Sequence, residues 1–348
     1  MAEQQYILVI RLSAMGDVAL TLPVLRAAYT GNYRMLVLTR APFAGFFSNI
    51  EGLEVFRAET GGRHKGLAGI IRLYRDINSS YRIRMVLDLH SVLRSWVLGL
   101  LYLLRGMPVY RVDKGRKEKR DFIKQRQRSD LPHTVDRYRN VFSAAGFRVG
   151  KPVIPAFSLS GDAQKMADEI IAGRIPAGHT IIAVSPFAKH RTKMWPLSKM
   201  ESLMTLLSGQ GNVFFLLFGG KEEAAELEHL AGRFDNSLVV AGKYDLQTEL
   251  ALISRVKFMI SMDSSNMHMA ALSGIPTVSI WGGTHPGTGF APLGTQVHLQ
   301  IGLRLEDPDC RPCTVFGKGD CIREDIKYRC LEDISPDMVY NKIKGLMF

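Results

Sequence analysis

Residues 256–286 restrict the fold of this chain more than any other stretch. An apolar run over 256–262 ends in Asp263-Ser264-Ser265-Asn266. A helix-compatible segment follows and stops at Gly274-Ile275-Pro276, and a second apolar run over 277–281 ends in Gly282-Gly283-Thr284. This is a βαβ pattern with a polar cluster at the carboxyl end of each strand. In open parallel sheets that edge is where ligands bind. Ser264, Ser265 and Asn266 are good N-cap residues, so unpaired helix N–H groups and the helix dipole would face an anion there, phosphate above all. An ordinary capped helix has the same local pattern, so the stretch alone does not decide between structure and site.

The alternation recurs along the chain. The first half has strand candidates at 6–11, 35–39, 85–88 and 109–112. Helices are expected over 18–28 and 67–77, from about 94 to 104, and from 133 onward. Lys151-Pro152-Val153-Ile154-Pro155 marks a linker. The second half has strands at 180–185, 212–218 and 238–241 and helices at 197–209, 221–234 and 248–255, before the opening stretch. Such regular β/α alternation predicts two doubly wound α/β domains facing each other across a cleft, with boundaries at 1–157 and 158–334.

Charge narrows the partners. The 348 residues carry a formal net charge of +12, which favours an acidic partner. Half of that excess lies in one segment, where Arg111, Lys114, Arg116, Lys117, Lys119, Arg120, Lys124, Arg126 and Arg128 face only Asp113, Glu118 and Asp121. A solvated helix face is the ordinary reading of such a run. Its concentration in one half of the chain favours an anionic acceptor or lipid headgroup. Nucleic acid is disfavoured because stacking aromatics are sparse there, Phe122 aside. The apolar run at 6–10 breaks at Arg11 and lacks a basic leader, so no secretory signal is expected. The run at 96–104 is too short to span a bilayer and reads as a buried helix. A cytoplasmic, monomeric enzyme is the expectation.

Several clusters could carry chemistry. Leu12-Ser13-Ala14-Met15-Gly16-Asp17 joins the first strand to a helix. With Gly16 alone it is not a dinucleotide fingerprint. Asp17 suits an N-cap, worth about 1 kcal/mol, or a general base at the mouth of a cleft. The segment 61–66 is glycine-flanked and basic, with Arg63 and Lys65, and reads as a mobile loop able to close over an anion. Asp88-Leu89-His90-Ser91 ends another strand, and Arg94 follows. The loop 185–196 starts at Ser185, carries Lys189, Arg191 and Lys193, and ends in Trp195-Pro196. Cations beside a phosphate-suited helix N-terminus would stabilise a diphosphate leaving group. Glu222 and Glu223 close a further strand, where a carboxylate could hold a ribose hydroxyl pair. The order of catalytic serine hydrolases, HExxH and the kinase-type P-loop are all missing from the sequence. The four cysteines, Cys310, Cys313, Cys321 and Cys330, have the ligand count of a zinc site but not the spacing of paired CxxC knuckles. Reduced, packed thiols are expected, with structural zinc as the minority alternative.

Together these motifs resemble the family 9 glycosyltransferases, the ADP-heptose:lipopolysaccharide heptosyltransferases. The resemblance rests on residues 10–18, on Asp263-Ser264-Ser265-Asn266-Met267-His268-Met269-Ala270-Ala271, on Gly274-Ile275-Pro276-Thr277 and on Gly283-Thr284-His285-Pro286. It also rests on Lys193-Met194-Trp195-Pro196 and on the tail from Cys310-Arg311-Pro312-Cys313 through Cys330 to Pro336. It spans most of the chain in collinear order. It implies a GT-B fold, with the acceptor on the N-terminal domain, the nucleotide sugar on the C-terminal one, and a terminal helix at 335–348 crossing back to the first. The reaction it implies is inverting transfer with no obligatory metal or cofactor, from an ADP-heptose-like donor to a lipopolysaccharide core acceptor at the inner face of the inner membrane.

In that scheme Asp17 is the base and Lys193 neutralises the leaving diphosphate. Ser185, Lys189, Asp263, Ser264, Ser265, His268 and Thr284 line the donor site, and Glu222 or Glu223 meets the ribose. Ser13, Gly16, Arg63, Lys65, His90, Arg94 and Arg120 are the acceptor-side candidates. The chain departs from the family pattern at Ser265 and Phe187, where glycine is usual. Another nucleotide sugar or a capsule acceptor is the alternative, and a non-catalytic nucleotide-binding module the more distant one.

Overall fold

The computed structural model describes residues 4–29, 31, 33–124, 129–294, 298–304 and 308–347. The chain divides into two compact units. One comprises Met1–Gly115 with Pro132–Ser158, the other Arg116–Leu131 with Leu159–Phe348.

The first unit begins with β1 (Gln5–Ile10), α1 (Met15–Ala19), α2 (Leu22–Ala28) and β2 (Arg34–Arg40). A 3-10 turn at Ala41–Phe47 leads to β3 (Leu53–Ala58), α3 (Gly66–Ser80), β4 (Arg82–Asp88), α4 (Leu93–Leu103) and β5 (Val109–Arg111). α5 (Arg116–Ile123) belongs to the other unit, and α6 (Thr134–Ala144) returns to this one. The strands form a parallel sheet in the order β3-β2-β1-β4-β5. Leu8 and Ile10 of β1, Leu36 and Leu38 of β2 and Val86 of β4 form its core with Leu73 and Ile77 of α3 and Leu98 and Tyr102 of α4.

The single helix expected over 18–28 is two helices. Pro23 has no N–H to donate, so it cannot extend the first ladder, yet it fits the opening turn of a new helix. β3 escaped the sequence reading because its side chains are mostly half-buried and its apolar alternation is interrupted by Glu54 and Arg57. The apolar run at 96–104 is not a buried helix. α4 covers the sheet with one face, and Trp96, Leu100, Leu103 and Leu104 are exposed.

The second unit runs α7 (Gly161–Arg174), β6 (Thr180–Ser185), α8 (Leu197–Ser208), β7 (Val213–Leu217), α9 (Ala224–Ala231), β8 (Ser237–Val239), α10 (Leu246–Ile253), β9 (Phe258–Met262), α11 (Ser265–Leu272), β10 (Thr277–Ile280) and β11 (His298–Ile301). α12 (Arg329–Glu332) and α13 (Pro336–Ile343) complete it. Its parallel sheet has the order β11-β10-β9-β6-β7-β8. α7 was missed because its buried stripe is built on Ala163, Ala167 and Ile170, too small a signal to stand out.

Two segments depart from the expected domain division. Arg116–Leu131 clusters with the second unit. Phe122 is 1% exposed with its ring 5.7 Å from His285, Lys119 Nζ lies 4.3 Å from the Phe290 ring, and Leu131 N donates to Gly287 O at 2.8 Å. An amphipathic helix follows its apolar anchor, wherever the sequence places its charges. Arg116, Lys117 and Arg120 are exposed, whereas Lys119 is buried; Arg126 and Arg128 lie outside the described residues. The terminal helix α13 packs on α8 inside the second unit, with Val339 and Ile343 fully buried in its core.

Candidate active site

Each sheet has one place where strands adjacent in space lead to crossovers running opposite ways. These switch points lie between β1 and β4 in the first unit and between β6 and β9 in the second. Loops diverge there and leave a crevice at the strands' carboxyl ends.

In the first unit, β1 runs out at Arg11, which is 7% exposed. Its Nη1 donates to Leu89 O at 2.7 Å, bracing the turn after β4, and its Nη2 meets Asp17 Oδ2 at 2.7 Å. Asp17 is not the N-cap. It sits in the first turn of α1, where Ala14 is the capping position and Ala14 N lies 3.4 Å from the same Oδ2. The Tyr138 hydroxyl donates to the Asp17 carbonyl at 3.4 Å. Both of these contacts of the carboxylate use Oδ2.

His90 stands across this turn, its Nε2 3.4 Å from Ser13 Oγ. Asp88 Oδ1 accepts from the N–H groups of His90 and Ser91 at 2.9 and 2.8 Å and shapes the turn that presents the imidazole. Burial, then the charge of Arg11, pushes the His90 pKa down to about 3. Ser13, Gly16, Asp17 and His90 are thus gathered at the β1–β4 crevice.

The other acceptor-side candidates have different partners. Arg63 is held side-on by Asp76 at 2.7 and 2.9 Å, and buried His64 reaches the same carboxylate at 3.0 Å, so the basic 61–66 segment is pinned to α3. Lys65 is exposed at the head of α3. Arg94 reaches back to Thr60 O at 3.4 Å. Arg120 is exposed in the second unit.

In the second unit, β6 ends at Ser185, and its loop returns through a tight turn at Arg191–Lys193. Lys193 Nζ lies 2.7 Å from Asp263 Oδ2, at the end of β9. Thr284 Oγ1, beyond β10, donates to the same oxygen at 2.8 Å. Both charged side chains are largely buried, 15% and 8% exposed, so the pair must be well satisfied to persist.

The loop is tied down at several points. Thr192 Oγ1 donates to Gly317 O at 2.7 Å, Gly283 N donates to Thr192 O at 2.9 Å, and Cys313 N donates to Gly283 O at 3.0 Å. Gly317, at φ +80°, approaches the lysine stem so closely that a Cβ there would lie 2.7 Å from Lys193 Cε. Trp195, 2% exposed, anchors the far end through Nε1 to Ile334 O at 3.0 Å.

Ser264 occupies the N-cap position of α11, but its hydroxyl pairs with Ser261 Oγ at 3.0 Å instead of capping. Ser265 opens the helix half-buried, and His268 is buried one turn later. Ser185 Oγ accepts from Asn266 Nδ2 at 2.7 Å, tying the end of β6 to the head of α11. Glu223 Oε2 accepts from Gly220 N at 2.7 Å, and burial raises its pKa, whereas Glu222 and Lys189 are exposed.

All four cysteines line one cavity with Thr192, Gly283 and Arg311. Burial pushes the Cys330 thiol up to about 12 and raises that of Cys313. Among the described residues no three His, Cys, Asp or Glu side chains are disposed to hold a metal ion.

Sequence reasoning missed Arg11, Thr192 and Arg311. Arg311 is 2% exposed and donates from Nε to Gly282 O at 2.9 Å, fixing the turn that carries Thr284. The available signal for Arg11 was its position, a lone cation ending an apolar strand. Thr192 and Arg311 carried none, because their partners lie 125 and 29 residues away.

Two Rossmann-like units, each with a polar cluster at its switch point, have the architecture of the GT-B class. The chain belongs to glycosyltransferase family 9 (heptosyltransferase), whose model matches residues 73–315. It is 23% identical over 288 residues, 80% of this chain and 79% of the other, to the lipopolysaccharide core heptosyltransferase OpsX of Haemophilus influenzae. The family 9 glycosyl transferase of Veillonella parvula superposes with a TM-score of 0.77 at 20% identity, covering 100% of this chain and 98% of that one. The E. coli ADP-heptose lipopolysaccharide heptosyltransferase II does so with a TM-score of 0.69 at 19% identity, covering 98% of both chains.

Proposed function

We propose that this glycosyltransferase moves a heptose from ADP-heptose to a sugar hydroxyl of the lipopolysaccharide core, with inversion and without a metal. The family assignment supports heptosyl transfer. The names of the Haemophilus influenzae relative and the E. coli neighbour support the acceptor and the donor. The observation that carries the chemical reading is Lys193, aimed by Asp263 beside the N-terminus of α11.

In this reading the acceptor hydroxyl gives its proton to Asp17 Oδ1 while its oxygen forms a bond to the anomeric carbon. The bond from that carbon to the diphosphate oxygen breaks on the opposite face, and ADP leaves with the electron pair. Lys193 and the free N–H groups at the head of α11 meet the charge that develops there. Arg11 orients the base, Glu223 or Glu222 meets the ribose, and His90, neutral and buried, borders the acceptor. This scheme puts the enzyme at the cytoplasmic face of the inner membrane. Among the described residues no helix is long and apolar enough to cross a membrane.

The test is a transfer assay with ADP-, UDP- and GDP-linked sugars on a deacylated core acceptor. Turnover with ADP-heptose should exceed that with the others by at least about tenfold, the scale of one well-made discriminating contact. Equal or better turnover with a UDP- or GDP-sugar would overturn the donor assignment.

A further inference from the structure

The exposed face of α4 has no role in the scheme above. Leu93, Trp96, Leu100 and Leu103 are 79%, 51%, 50% and 51% exposed, and Leu104, just past the helix, is 74% exposed. Their spacing sets them on one stripe, opposite the buried Ser95, Leu98 and Tyr102. α3 packs beside α4 and adds Leu67 and Ile71, 67% and 44% exposed. Large exposed apolar side chains gathered on two neighbouring helices in this way mark an interaction site.

The charges around it specify the partner. Residues 60–111 contain nine Lys or Arg and two acids. Asp76 is bound by Arg63 and His64, and Asp88 is fully buried. Arg72 and Arg75 on α3 and Arg105 after α4 are exposed. Arg111 lies 4.4 Å over the Trp96 ring, at the edge of the stripe. An apolar stripe rimmed by cations, with an indole at the boundary, matches an anionic bilayer surface: acyl chains for the leucines, phosphates for the arginines. A second copy of the chain fits poorly, since two such surfaces would bring like charges together.

We propose that the α3–α4 face is a membrane-docking surface that lies in the interface of an anionic phospholipid bilayer. α4 is a monotopic anchor, held by its exposed leucines and Trp96.

Vesicle sedimentation with the full chain tests this, using phosphatidylglycerol-containing or pure phosphatidylcholine vesicles without sugar acceptor or nucleotide sugar. The result is therefore independent of glycosyl transfer. Partitioning onto anionic vesicles should exceed that onto neutral ones by at least about tenfold and weaken with salt. Leu100→Glu with Leu104→Glu should cut it at least about tenfold, and Arg72→Glu with Arg75→Glu should remove its salt dependence. Transfer to a deacylated acceptor should persist in the leucine variant, which also shows that it folds.

Tryptophan fluorescence gives a second readout. Trp195 and Trp281 are 2% and 1% exposed, so bromine-labelled acyl chains should quench Trp96 selectively, and Trp96→Phe should abolish the effect. Equal binding to neutral and anionic vesicles, no quenching, or a leucine variant that only converts a dimer to a monomer would each overturn the proposal.

Discussion

Lys193 Nζ lies 2.7 Å from Asp263 Oδ2, and the same oxygen takes a hydrogen bond from Thr284 at 2.8 Å. Three loops, following β6, β9 and β10, therefore converge on one carboxylate oxygen. The lysine is thereby held in place with its charge matched by the carboxylate.

That arrangement gives Asp263 a structural part in the loop cluster. Asp263→Asn keeps the shape but leaves the Lys193 charge uncompensated in a nearly buried site, so a loss of about 3 kcal/mol in urea unfolding is expected. Lys193→Met in the same chain should restore part of it, with a coupling of at least about 1 kcal/mol. Strictly additive single and double variants would show that the pair does not interact energetically.

Asp17 predicts a different pattern. Asp17→Asn should lower transfer by about 10²- to 10⁴-fold, the usual contribution of a positioned base. ADP affinity should stay unchanged by calorimetry, because the proposed donor residues all lie in the other unit. Weakened ADP binding with preserved turnover would assign Asp17 to the donor instead.

His90 gives a pH signature. Its folded-state pKa of about 3 lies below the ordinary value of 6.5, with burial the main cause and Arg11 next. Between those values the unfolded chain binds the proton and the folded one does not. Stability is therefore complete above about pH 6.5 and declines as pH falls towards 3, with a slope approaching about 1.4 kcal/mol per pH unit. Denaturant titrations from pH 7 to 4 should show this slope, and His90→Gln should flatten it. An unchanged slope in the variant would place the titrating group elsewhere.

Glu249 behaves oppositely. Burial, then the charge of Asp245 one turn earlier, raises its pKa from 4.5 to about 7. The folded state holds the proton more tightly, so its contribution to stability is complete below pH 4.5 and is lost as pH rises through 7. Glu249→Gln should stabilise the protein at pH 8 by about 1–3 kcal/mol and change little at pH 4. Equal thermal shifts at both pH values would contradict the assignment.

The candidate residues were legible because they lie beyond strand ends. In each unit the parallel sheet brings such residues to one edge, Asp17 and His90 in the first and Lys193 and Asp263 in the second. The apolar stripe at 96–104 misled, because hydrophobicity reports preference for burial and not whether a partner exists to cover it. The charges of the basic run at 111–128 gave no sign of which unit its helix joins, which follows from where Phe122 is buried, beside the His285 ring.

By itself the sequence determined two parallel α/β units, the strand ends that carry polar groups and the family to which the motifs belong. These follow from short-range periodicity and local capping chemistry, which are written in neighbouring residues. Only the tertiary structure decided that Asp263 pairs with Lys193, that Arg11 orients Asp17, that Thr192 braces the lysine loop and Arg311 the turn carrying Thr284, and that α4 exposes its leucines. Apart from the short-range Arg11–Asp17 contact, those outcomes depend on distances between residues tens of positions apart, which are fixed only when strand order and packing are fixed.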